Sequence, residues 1–102
     1  MEIFPISLKL QQQRCLIVGG GHIAYRKANL LVKAGAAVDV IAREIEPDPD
    51  RLVEKSLGQY IQAPFSESIL TTPYRLVIAA TDQPDVNKTV FEQSEVRNLL
   101  VN

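Results

Sequence analysis

The sequence predicts an α/β fold in which a parallel sheet is flanked by helices, and three observations carry that reading. An apolar run ending at Val18 breaks into Gly19-Gly20-Gly21 and opens onto a helical pattern. A second apolar run, 37–42, arrives where the next parallel strand of a βαβ unit belongs. A third, 74–80, is again followed by a helical pattern, so strands and helices alternate in the order that builds Rossmann-like sheets.

Each element has a local cause. Residues 3–10 alternate, with Ile6, Leu8 and Leu10 on one side, which predicts an extended lead-in or a strand that Pro5 confines to a sheet edge. The first strand of the βαβ unit holds Cys15, Leu16, Ile17 and Val18. In the helix that follows, 23–34, one stripe carries Ala24, Ala28, Leu31 and Gly35 and another carries Arg26, Asn29 and Lys33, so the small residues should face the sheet. Gly35 tolerates the left-handed conformation that ends a helix, and the second strand comes at once.

The acidic stretch 44–50, with Pro47 and Pro49, predicts a loop leading into a short helix near 51–57 that Gly58 closes. A short third strand is expected at 59–62 and a short helix around 66–70. The run 74–80 is expected to be the most strongly buried strand. A helix from about 83 to 97 follows it, with Asp82 placed to cap it, Pro84 in its first turn and Asp85 adding negative charge at its positive end. Leu99-Leu100-Val101 begins a fifth strand, within which the chain is expected to be truncated, so that 1–102 reads as one domain of a longer protein.

Composition narrows the function. With 46% hydrophobic residues over 102 positions the chain can bury a modest core, but no apolar stretch approaches the about 20 residues of a membrane span. The start, Met1 to Pro5, lacks a signal-peptide pattern, so a cytoplasmic protein without a membrane partner is expected. A net charge of −1 argues against general nucleic-acid binding. The charge is split, however: residues 1–43 hold six basic and two acidic residues, and the rest hold five and ten, which fits an anionic ligand near the glycine turn. The single cysteine, Cys15, reads as a small buried hydrophobe, and with His22 the only histidine no metal site is expected.

The glycine turn carries the chemistry. A buried strand that turns sharply into a helix presents that helix's first free N–H groups to a pyrophosphate, and side chains there would obstruct it. Gly19 suits the tight turn, Gly21 lets the backbone approach the ligand, and Ala24 allows close packing of helix on strand, giving G-x-G-x-x-A. Ligands of open α/β sheets bind beyond the carboxyl ends of the strands where strand order reverses. Thr81 and Asp82 lie beside that crevice if the first and fourth strands are neighbours, so Asp82 reads either as a cap alone or as a cap that also meets the cofactor.

The residues Phe4-Pro5-Ile6 with Leu8 and Leu10, CLIVGGGHIAYRKANLL, APFSESIL and IAATDQPDVN together resemble the amino-terminal domain of the siroheme synthases, itself similar to stand-alone precorrin-2 dehydrogenases. The likeness covers essentially all 102 residues. It implies NAD bound in a Rossmann domain, oxidation of the tetrapyrrole precorrin-2 to sirohydrochlorin, insertion of ferrous iron into that product in bifunctional members, and a homodimeric parent. A nucleotide-sensing regulatory domain without catalysis is the alternative. By position, His22 and Ile23 match residues that meet the cofactor phosphates, and Arg43 and Glu44 match the pair near the adenosine ribose. His22 departs from the polar or acidic residue of some members, which leaves its side-chain role open.

The usual ribose-binding acid would fall at Ala42, so Glu44 substitutes or Arg43 meets a 2′-phosphate; residues alone admit NAD and NADP, and the resemblance implies NAD. Asn102 matches an asparagine that precedes the family's acid/base aspartate, so no catalytic residue is expected within the chain. Arg14, Arg26 and Lys27 are the basic groups available to a substrate rich in carboxylates, with Arg26 on the exposed helix stripe.

Overall fold

The computed structural model describes residues 3–45, 56 and 58–102. Five strands among them form one parallel sheet: β1 (Arg14–Val18), β2 (Ala37–Ala42), β3 (Tyr60–Gln62), β4 (Leu76–Ala79) and β5 (Leu100–Val101). Their order is β3-β2-β1-β4-β5, and every pairing is parallel. Helix α1 (His22–Lys33) links β1 to β2, a 3-10 turn spans Glu67–Thr71, and helix α2 (Pro84–Val96) links β4 to β5. The helix expected near 51–57 lies outside the described residues.

The two faces of the sheet follow from the period of two along each strand. Cys15 and Ile17 of β1, Val38 and Val40 of β2 and Ile78 of β4 face α1, which answers with Ala24, Ala28 and Leu31 as its stripe predicts. Leu16, Val18, Ile41 and Val77 face the other way, onto Leu70 of the 3-10 turn, Tyr74 and Val90 of α2. Gly35 adopts φ +85 at the end of α1, and the chain enters β2 two residues later.

Of the two readings of residues 3–10, the structure has the lead-in and not the edge strand: Ile3, Phe4 and Ile6 are exposed, and Leu8 and Leu10 pack into the core before the chain turns at Gln12 (φ +62) into β1. Two expectations need correction. The most buried strand is β1, not β4: four of the five residues of β1 are buried against two of the four in β4, as befits the central strand of the sheet. Asp82 does not cap α2. The N-cap is Gln83, without a side-chain cap bond, and the Gln83 N–H is instead accepted by Thr81 Oγ1 at 3.1 Å.

Candidate functional site

Strand order reverses between β1 and β4, since β1 leads to β2 on one side and β4 to β5 on the other. Beyond the carboxyl ends of these strands opens a cleft of about 970 Å³, the size of a cofactor site and the place where open α/β sheets bind ligands. All eight residues singled out from the sequence line it. Gly19, Gly21, His22 and Ile23 come from the turn after β1; Arg43 and Glu44 from the end of β2; Thr81 and Asp82 from the end of β4.

The three glycines answer to different constraints. Gly19 has φ +131, and a Cβ there would collide with the Ala80 carbonyl oxygen, so β1 and the end of β4 approach each other through it. At Gly20 a Cβ would collide with the Glu44 carbonyl oxygen and stand 3.0 Å from Ala42 Cβ, which holds the turn against the end of β2. At Gly21 a Cβ would meet no protein atom within 4 Å. Gly21 borders the cleft and is the N-cap of α1, so the space beside it is what a ligand drawn onto the helix terminus would use. The need for Gly20 was not read from the sequence; its signal was the run of three glycines where the fingerprint asks for two.

Electrostatics at the cleft are mixed. The first turn of α1 carries no acid, which leaves the positive end of the helix available to an anion. Arg43 and Glu44 are exposed at the β2 side, where Gln62 Nε2 donates to the Arg43 carbonyl at 3.2 Å and Tyr60 Oη donates to the Ala42 carbonyl at 3.1 Å. Asp82 and Asp85 lie at the β4 side. Three further residues, Ala63, Pro64 and Phe65, close the cleft beyond β3, a wall the sequence reading left without a role.

None of the three basic residues considered for a carboxylate-rich substrate lines the cleft. Arg14 opens β1 at the opposite end of the sheet, where its Nε and one terminal nitrogen each lie 3.0 Å from the carboxylate of Asp39. Asp39 is 1% exposed and also accepts from Tyr74 Oη at 2.7 Å and from the Gln59 N–H at 3.0 Å. Burial first, and Asp39 second, push the Tyr74 phenol well above its ordinary range. Arg26 is exposed on α1, and Lys27 borders a separate apolar groove with Leu30 and Phe4. The acid inside the apolar run 37–42 was the missed signal, since a buried carboxylate needs a partner.

Cys15 is fully buried under α1, and burial raises its thiol, partly offset by the Leu76 backbone, so its role is packing. Among the described residues no cluster of three or more His, Cys, Asp or Glu can hold a metal ion, and no helix is long and apolar enough to cross a membrane.

Residues 6–102 match the family model described as putative NAD(P)-binding. The chain belongs to that family. The siroheme synthase of Acinetobacter baylyi is 68% identical to it over 102 residues, all of this chain and 22% of that protein. The siroheme synthase of Chromobacterium violaceum is 45% identical over the same 102 residues, again 22% of its length. The chain thus spans about a fifth of these curated relatives. Among solved structures, SirC, a precorrin-2 dehydrogenase, superposes with a TM-score of 0.79 at 27% identity, over 98% of this chain and 48% of that one. The tRNA N6-threonylcarbamoyladenosine dehydratase TcdA of E. coli, solved with ATP, superposes with a TM-score of 0.73 at 10% identity, over 87% of this chain and 49% of that one, a likeness of fold alone. The NAD(P)-binding family and the glycine turn agree on a nicotinamide dinucleotide as the class of ligand, and the Rossmann-like sheet stands as expected.

Proposed function

We propose that this chain is the dinucleotide-binding domain of a precorrin-2 dehydrogenase of siroheme biosynthesis, acting in the cytoplasm with NAD rather than NADP. The observation that carries the reading is the open space at Gly21, at the N-cap of a helix whose first turn holds no acid, in a cleft shared by all eight candidate residues. The likeness to siroheme synthases and to a precorrin-2 dehydrogenase supports the substrate class, a tetrapyrrole.

In this reading the backbone N–H groups of His22 and Ile23 take the pyrophosphate, and Glu44 at the end of β2 takes the adenosine ribose hydroxyls. Bound NAD+ supplies the hydride acceptor. Gly19 and Gly20 hold the turn at the depth the cofactor needs, while Thr81 and Asp82 border the half beyond the pyrophosphate. Ferrous iron would enter as a substrate of a second activity in the longer protein, which is proposed to be a homodimer.

The test has two arms. Calorimetric titration of the chain should show binding of NAD+ and weaker binding of NADP+. The same domain, carried within a protein of the length of its siroheme synthase relatives, should convert precorrin-2 to sirohydrochlorin anaerobically and in proportion to NAD+. NAD+ binding without oxidation in the longer protein would move the reading to a nucleotide-sensing domain, and no binding at all would end it.

A further inference from the structure

The turn after β4 is held by a side chain that the dinucleotide reading does not use. Asn87, in the second turn of α2, brackets a single residue of the cleft. Its Oδ1 accepts from the Thr81 N–H at 3.1 Å, and its Nδ2 donates to the Thr81 carbonyl at 3.1 Å. One amide therefore satisfies both backbone groups of Thr81, as a neighbouring strand would. The Thr81 hydroxyl lies 2.7 Å from the same Oδ1 and accepts the Gln83 N–H at 3.1 Å. Every polar group of Thr81 is thus engaged within the protein, and its side chain is committed to the turn rather than to a ligand.

This lock has a directional consequence. Ala80 donates its N–H to the Val18 carbonyl at 2.9 Å and lies against Gly19, so the turn begins where β1 and β4 touch. Arg43 and Glu44 stand on the other side of the glycine turn, at the end of β2. A dinucleotide laid across the reversal puts its adenosine half on the β2 side and its second half on the β4 side.

We infer that Asn87 is a positioning residue for the second half of the dinucleotide: by clamping Thr81 it fixes the Thr81–Asp82–Gln83 turn against which the nucleoside beyond the pyrophosphate binds. This rests on the dinucleotide reading and adds to it a residue outside the cleft lining. Releasing the clamp leaves the glycine turn and the end of β2 as they are, so a ligand that ends at the second phosphate loses nothing.

The experiment compares NAD+ with ADP, by calorimetric titration of the 102-residue chain and of its Asn87→Ala variant. NAD+ affinity should fall about tenfold in the variant, with ADP affinity held within about twofold. Thr81→Val removes only the hydroxyl part of the network and should lose a smaller share of NAD+ affinity. The double variant should bind NAD+ no more weakly than Asn87→Ala alone, because the two residues act as one unit. Equal weakening of ADP and NAD+, unchanged NAD+ affinity, or additive losses in the double variant would each overturn the inference. An unaltered chain that binds neither nucleotide would instead bring down the dinucleotide reading, and this inference with it.

Discussion

The two ends of the same sheet solve opposite problems. At the amino ends of the strands a charged group is closed off: Asp39 is buried, and Arg14, Tyr74 and the Gln59 backbone all point into it. At the carboxyl ends the chain keeps a cleft open, using glycines where any side chain would clash or intrude. At the closed end the polar groups converge on one buried carboxylate; at the open end those of Thr81 are held by Asn87, and the helix terminus at Gly21 faces open space. The difference teaches that the closed end serves stability alone and can be damaged without loss of binding, whereas at the open end Gly19 and Gly20 serve both and Gly21 serves the ligand.

The largest expected effect is at the closed end. Asp39→Ala removes the acceptor of three donors at once and leaves the Arg14 charge without its partner, which should cost about 3 kcal/mol or more of unfolding free energy, a large share of what a small domain has. Urea unfolding checks the loss. NAD+ affinity of the protein that remains folded should be unchanged, and a parallel loss of affinity would erase the distinction between the two ends.

A paired substitution sharpens the comparison within the open end. Gly20→Ala drives a Cβ into the Glu44 carbonyl and should cost about 1–3 kcal/mol of stability, together with ligand binding. Gly21→Ala meets no protein atom and should cost under about 1 kcal/mol of stability while still weakening NAD+ binding about tenfold or more. Thermal melts alongside titrations would separate the two, and equal destabilisation by both would refute the assignment of Gly21 to the ligand.

The smallest effect is a pH dependence. The Tyr74 phenol is raised in the folded chain by burial and then by Asp39, so its contribution is fully present below the ordinary phenol value, about 10, and is lost as pH climbs above it, where the unfolded chain releases its proton more readily. Tyr74→Phe should lower stability by about 1–2 kcal/mol at neutral pH, and that gap should narrow above about pH 10. A gap that widens in alkali would contradict the direction of the shift.

Much of this architecture was legible because its signals are local. The apolar run 15–18, the glycines and the small-residue stripe of α1 each specify their element without help from elsewhere, and β2 and α2 fall where the periodicity places them. The eight candidate residues came together for the same reason, since the carboxyl ends of parallel strands share one edge. What was not legible depends on partners distant in the chain. The pairing of Arg14 with Asp39 spans 25 positions, the clash that forbids a side chain at Gly20 comes from Glu44, and Asp82 lost its capping role to the hydroxyl one residue before it. Alternation in 3–10 left a lead-in and an edge strand both open, because it reports which side chains reach the core and not whether the backbone pairs.

The contact between Gly19 and Ala80 has a kinetic consequence. The cleft exists only once Val18 is in register with Ala79, residues far apart in the sequence, and long-range strand pairings of this kind are intrinsically slow to form. A ligand that needs both ends of the reversal has nothing to hold before the pairing forms. Such a ligand should therefore leave the folding rate alone and express its stabilisation as slower unfolding, lengthening the lifetime of the native sheet by a factor of one plus the ratio of free ligand to Kd.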